Sequence, residues 1–255
     1  MSNLKQQNQE RWNKCKVLAS RGPVFAAVAQ RLYSPEARKR YQAVEKITGV
    51  PWWFIAVVHE REASQRWDRS IAQGDPWNKK SVRVPAGRGP FKSWEEAAVD
   101  ALTNCAPYAA RNKDWTPGGA LAMLEQYNGL GYASKGLPSP YIWAGTDQYT
   151  KGKYVADHVY DPNAVDQQLG CAGLLKFMGV FSKSVTKTTV GGLTGLLMAL
   201  GASTVAFWDY IKEHYLLFGV GSVALIWLAL CLISYSNKQK VETHVEQTQT
   251  NGTVH

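Results

Sequence analysis

Seven consecutive apolar residues, Trp52-Trp53-Phe54-Ile55-Ala56-Val57-Val58, follow Pro51, and the run stops abruptly at His59-Glu60-Arg61-Glu62. Proline suits the first turn of a helix, where its missing N–H has no intrahelical partner to lose. A helix that is apolar around its whole circumference is buried on every side. The chain therefore has to build a domain around this segment. A carboxylate at the end of such a helix is costly unless it has a partner or a task. Glu60 and Glu62 lie two apart, roughly 200° around the helix, so they cannot face one cleft. Either Arg61 or another cation neutralises both acids, or one of them does chemistry.

The flanking segments read as mainly helical. Residues 3–20 and 23–48 have helical patterning, divided at Gly22-Pro23 and closed by Thr48-Gly49-Val50-Pro51. Residues 65–92 change character: Gln73-Gly74-Asp75-Pro76 is a turn, Ser81-Val82-Arg83-Val84 alternates like a short strand, and a second turn runs through Pro85 to Pro90. That pattern predicts a small β-hairpin or irregular wing. Ser93-Trp94-Glu95-Glu96 is a capping box opening a helix through about residue 104. Thr116-Pro117-Gly118-Gly119 leads into a helix over 120–127 that ends at Asn128-Gly129, and a last helix is expected over 162–180.

The 255-residue chain carries a net charge of +9. Residues 1–187 hold 26 Lys and Arg against 16 Asp and Glu, a net +10, leaving −1 for the remainder. A basic domain wants an anionic partner. The basic residues are scattered, with no run longer than Arg38-Lys39-Arg40, which argues against nucleic acid. Cys15, Cys105, Cys171 and Cys231 are widely separated, with no histidine at ligand spacing. Reduced thiols, no metal and no cofactor are therefore expected.

Residues 188–208 and 215–237 contain no charged side chain, and about 20 apolar residues suffice to cross roughly 30 Å of hydrocarbon. The expectation is a two-helix transmembrane hairpin over 185–240, after a domain of residues 1–184 and before a disordered polar tail, 241–255. Lys183 and Lys187 precede it and Lys238 and Lys240 follow it, which places both termini in the cytoplasm. Residues 1–16 lack the apolar stretch of a signal peptide. Residues 188–236 would then hold the protein in the bacterial inner membrane, and their glycines could let copies associate.

Several blocks also resemble a known family. Arg61-Glu62 followed by Ala63-Ser64 resembles the Glu-Ser signature of goose-type lysozymes and soluble lytic transglycosylases, with Ala63 where the wider family often carries serine. Gly118-Gly119 and Tyr127-Asn128-Gly129-Leu130-Gly131, about 65 residues further on, resemble the Tyr-Asn-Ala-Gly-x-Gly segment of that superfamily. Gly74-Asp75-Pro76, Val84-Pro85-Ala86-Gly87-Arg88 and Ser139-Pro140-Tyr141-Ile142-Trp143-Ala144-Gly145-Thr146 look like blocks of phage and prophage endolysin-type lysozymes. The likeness covers roughly residues 40–180.

It implies a lysozyme-like α+β domain with a small β-hairpin, cleaving the β-1,4 bond between N-acetylmuramic acid and N-acetylglucosamine in peptidoglycan during bacterial lysis. The family's general acid falls on Glu62, with Glu60 as the rival. The second carboxylate falls on Asp75, with Asp68 as the rival. Tyr127 and Asn128 match residues that line the sugar cleft and help hold the acid. Trp77, Tyr132, Tyr141 and Trp143 are candidate platforms for sugar rings. The chemistry needs a carboxylic acid still protonated near neutral pH, and burial against Trp52, Trp53 or the Tyr127 segment would raise Glu62 accordingly. Two alternatives stand beside this: a lytic transglycosylase acting on the same bond, and a holin-like membrane-permeabilising protein whose folded domain only binds wall.

Overall fold

The computed structural model describes residues 2–181. Eight helices carry the fold: α1 (Ser2–Lys14), α2 (Gly22–Leu32), α3 (Pro35–Thr48), α4 (Trp52–Ala63), α5 (Trp94–Asn104), α6 (Pro117–Asn128), α7 (Pro140–Trp143) and α8 (Cys171–Phe177). One antiparallel hairpin joins them, β1 (Lys153–Ala156) with β2 (Val159–Asp161). Its register pairs Lys153 with Asp161 and Tyr154 with Tyr160, and an irregularity follows Tyr154.

α4 is the hub. Phe54 through His59 are all buried, and α2, α3 and α8 pack around them. Each fully buried Phe, Ile or Val there contributes about 1.5–3 kcal/mol through apolar area removed from water. α6 is buried almost as completely, from Gly118 to Glu125, and α1 lies along it. Gly118 makes that approach possible: a Cβ there would stand 2.6 Å from the Lys5 carbonyl oxygen. Local signals set the helix ends. Ser93 Oγ accepts from the Glu96 amide at 3.2 Å, and Thr116 Oγ1 accepts from the Gly119 amide at 3.3 Å.

Several expectations are corrected. The segment 23–48 is two helices, because Pro35 cannot donate into a continuing ladder and Ser34 caps a new start. The helix expected over 3–20 stops at Lys14. Beyond it Lys16 and Asp147 exchange hydrogen bonds at 2.9 Å, tying the chain to the segment after α7. Residues 162–170 are not helical, and only Cys171–Phe177 forms the last helix. The β element lies at 153–161 rather than at 81–84. Residues 65–92 form turns held by side chains, with one isolated bridge between Arg69 and Pro76.

The transmembrane part of the expected architecture is also corrected: among the described residues no helix is long and apolar enough to cross a membrane. α4, apolar as it is, has 12 residues and so spans about 18 Å, well short of hydrocarbon thickness. Residues 185–240, where the hairpin was expected, and the tail 241–255 lie outside the described residues. Cys15, Cys105 and Cys171 are free and buried.

Candidate active site

The last turn of α4 carries three ionisable side chains in a row, and the fold sends each to a different place. Glu60 pairs with Arg31 of α2 at 2.6 Å and borders a cavity of about 190 Å³ that Arg21 and Val24 also line. Arg61 turns to Asp166, its Nη2 donating to Oδ2 at 3.0 Å. Glu62 makes no ion pair among the described residues. Its Oε1 accepts a hydrogen bond from the Tyr141 hydroxyl at 2.9 Å, and its Oε2 has no hydrogen-bond partner among the described residues.

The two acids therefore sit in different electrostatic settings. Burial raises the Glu60 carboxyl, and the Arg31 guanidinium pulls back against it. Burial raises Glu62 further, to about 7, against the opposing Tyr141 hydrogen bond and the nearby Arg61 charge. Glu62 therefore keeps its proton into the neutral range while a carboxylate in water would have lost it.

Tight local geometry holds that side chain in place. α4 ends on Ser64 and Gln65, both left-handed, at φ 51° and 58°. Such non-glycine residues each cost on the order of 1 kcal/mol. Gln65 is anchored in return, its Nε2 donating to the Tyr41 hydroxyl at 3.1 Å and the Arg31 carbonyl at 3.3 Å. Over the same helix end passes the loop at Gly74, φ 71°, where a Cβ would stand 3.0 Å from the Glu62 carbonyl oxygen. From α6 comes Tyr127, its ring edge-on to Phe54 and its hydroxyl donating to the Ile71 carbonyl at 2.9 Å. Trp52 and Trp53, offered by the sequence as walls for Glu62, face elsewhere, against Tyr33 and against Trp115 and Phe181.

A cavity of about 340 Å³ opens beside this corner, lined by Arg61, Asn128, Tyr132, Tyr141, Lys153 and Tyr154 among others. Glu62 is not itself a lining residue; it meets the cavity wall through Tyr141. The β-hairpin forms one side, with Asp157 and His158 at its tip. Tyr132 accepts from the Tyr154 amide at 2.9 Å, and the rings of Tyr132, Tyr154 and Tyr160 meet edge to face. Lys135 lies over the Tyr154 and Tyr160 rings. The wall is thus aromatic and polar together, able to meet a ligand by ring contact and by hydrogen bonds at once.

Of the residues singled out from sequence, the fold brings Glu62, Tyr127, Asn128, Tyr132 and Tyr141 into one neighbourhood. Asn128 lines the cavity and its Nδ2 donates to Ser139 Oγ at 3.4 Å. Trp143, 1% exposed, lies in the core and does not line this cavity, while Tyr141, two residues earlier on α7, reaches Glu62. Trp77 spends its indole N–H on the Trp67 carbonyl at 2.8 Å and does not line the cavity.

Asp75 is also committed. Its Oδ2 accepts the Val82 and Arg83 amides at 2.9 and 3.0 Å, which hold it ionised, below the usual carboxylate range. Asp68 is exposed and paired with Arg66 at 2.8 Å. Neither presents a free carboxylate towards Glu62.

Sequence reasoning missed Asp166, Lys153 and Tyr154. Residue order offered Tyr141 only as a platform for sugar rings, not as the hydrogen-bond donor to Glu62, and nothing local pointed to Asp166. Among the described residues no group of three or more His, Cys, Asp or Glu side chains could hold a metal ion. Comparison with family models, with curated proteins and with solved structures finds no match to this chain. The lysozyme resemblance therefore stands on the motifs alone.

Proposed function

We propose that this protein is a peptidoglycan muramidase in which Glu62 is the general acid. One observation carries the reading: a carboxyl at the tip of a buried helix, raised to about 7 by burial and left without a cation, beside a cavity of about 340 Å³ walled by tyrosines. Glycosidic cleavage needs a proton delivered to the departing oxygen near neutral pH. With the Tyr141 hydroxyl donating to Oε1, the proton resides on Oε2, the oxygen free to hand it over. The motif order Glu62, Gly118-Gly119, Tyr127-Asn128 agrees with this assignment.

A second reading within the same chemistry draws on Asp75. Since its carboxylate is spent on two loop amides, a mechanism that needs no second acid fits well: a lytic transglycosylase, where the sugar's own 6-hydroxyl attacks. Product analysis separates the two, because only the transglycosylase leaves 1,6-anhydro ends.

Turbidity clearing of purified cell wall by the full chain tests both. Glu62→Gln is expected to abolish clearing and Glu60→Gln to leave most of it. Full clearing by Glu62→Gln would remove the acid from the mechanism.

A further inference from the structure

Arg61 is the residue best placed to spoil Glu62. It is the adjacent residue in the chain, and a guanidinium within about 4–6 Å lowers a carboxylic acid by about 1–3 pH units. The fold pairs it elsewhere and keeps it out of an ion pair with Glu62, although its charge still pulls Glu62 down against burial. Nη2 donates to Asp166 Oδ2 at 3.0 Å and Nη1 to the Leu169 carbonyl at 3.3 Å. The guanidinium carbon lies 4.7 Å from the centroid of the Tyr141 ring. Both members of the pair are buried, with side-chain exposures of 6% and 4%.

Asp166 is itself fixed from several directions. Its Oδ1 accepts from Lys153 Nζ at 3.2 Å and from the Gln168 amide at 3.3 Å. Its own amide donates to the Tyr149 hydroxyl at 3.1 Å. Lys153 belongs to β1, so the hairpin that walls the cavity also braces this carboxylate.

We propose that Asp166 is a positioning residue for Glu62: it captures the Arg61 guanidinium and holds it on the Tyr141 ring, so that Glu62 faces a neutral phenol instead of a cation. The inference rests on Glu62 being the proton donor. The other titratable groups facing Glu62 are Tyr127 from α6, Tyr141 from α7 and Cys171 from α8. Burial raises all three, Cys171 to about 12, so all stay neutral. Among the described residues Arg61 is left as the one charge in that set, and where it points decides the charge of the corner.

Carbon-13 NMR of the glutamate carboxyls in the full chain, without substrate, reads this directly, with Glu62→Gln supplying the assignment. In Asp166→Asn the Glu62 midpoint is expected about 1–3 pH units lower, and the basic limb of the wall-clearing profile should move with it. Arg61→Gln alone should change the midpoint much less, and the double variant should restore it. An unchanged midpoint in folded Asp166→Asn overturns the proposal. So does a lowered midpoint that persists in the double variant. Equal and opposite changes in the two single variants would mean charges acting through space with no capture, which also overturns it.

If Asp166→Asn does not fold, the wild-type Arg61 Nε–H signal decides: it should stay fixed as Glu62 titrates, and movement with Glu62 would refute the capture. Failure of wild-type clearing would sink the muramidase reading while leaving this titration test intact.

Discussion

His59 and Glu62 stand one turn apart on α4, both ionisable, the first fully buried and the second half-buried. His59 is fully enclosed: Nε2–H donates to the Arg66 carbonyl at 3.0 Å, Nδ1 accepts from the Tyr41 hydroxyl at 3.0 Å, and Trp67 and Trp94 close over the ring. Burial lowers it to about 4, so the ring is neutral. Arg40 lies over the Trp67 ring at 4.0 Å and seals the outside. Glu62 has one donor, one uncommitted oxygen and a cavity next to it. A buried polar group with every site satisfied is architecture. One left half-satisfied beside open space is where chemistry can happen.

The largest expected effect breaks the comparison on the catalytic side. Glu62→Gln should cut wall clearing by about 10²–10⁴-fold, the usual contribution of a general acid. His59→Gln should act only through stability, leaving the activity of the folded fraction close to wild type. A matching loss of specific activity in His59→Gln would erase the distinction.

Next in size is the packing of the histidine cage. Trp94 is 1% exposed and touches Tyr41, His59 and Trp67. Trp94→Ala should cost about 3–5 kcal/mol in denaturant unfolding. A cost under 1 kcal/mol would show the cage to be loose.

The two groups should also pull stability in opposite directions with pH. Folded His59 stays unprotonated until about 4, whereas the unfolded ring takes a proton near 6.5. Its contribution is present above 6.5 and lost as pH falls towards 4. Folded Glu62 holds its proton to about 7, against 4.5 for the ordinary group. Its contribution is present below 4.5 and lost as pH rises towards 7. In the wild type the two trends oppose each other. Glu62→Gln should remove one of them, leaving stability rising with pH and the protein on the order of 1–3 kcal/mol more stable above pH 7. Denaturation midpoints across pH 4–8 would show a flat difference if Glu62 titrated normally.

Smaller effects sharpen the picture. Tyr141→Phe removes a donor that lowers Glu62, so the basic limb of the clearing profile should move to higher pH with activity retained. Ser64→Gly should relieve a left-handed serine and stabilise by about 0.5–1 kcal/mol. Destabilisation there would mean that the serine side chain matters more than its backbone.

How much of this was readable from residue order depends on the range of the interaction. Pro51 and the apolar run defined α4, and the caps at Ser93 and Thr116 defined α5 and α6, because each involves neighbours within four residues. The break at Ser34-Pro35 was equally local and was outweighed in reading by the helical pattern on either side. Alternation over 81–84 looks strand-like and predicts a hairpin or an irregular wing, yet Val82 and Val84 are 84% and 88% exposed and join no strand ladder. Alternation describes a strand only when one face has a core to lie on.

The residue order by itself determined that a buried helix ends in two carboxylates which cannot share a cleft, since helix geometry fixes that angle without reference to the rest of the fold. Tertiary structure decided which acid is neutralised and which keeps its proton. Arg31 lies 29 residues from Glu60, Tyr141 lies 79 from Glu62, and Asp166 lies 105 from Arg61. A proton affinity is set by the few ångströms around a group, and those ångströms are filled by chain that arrives only when the whole domain closes.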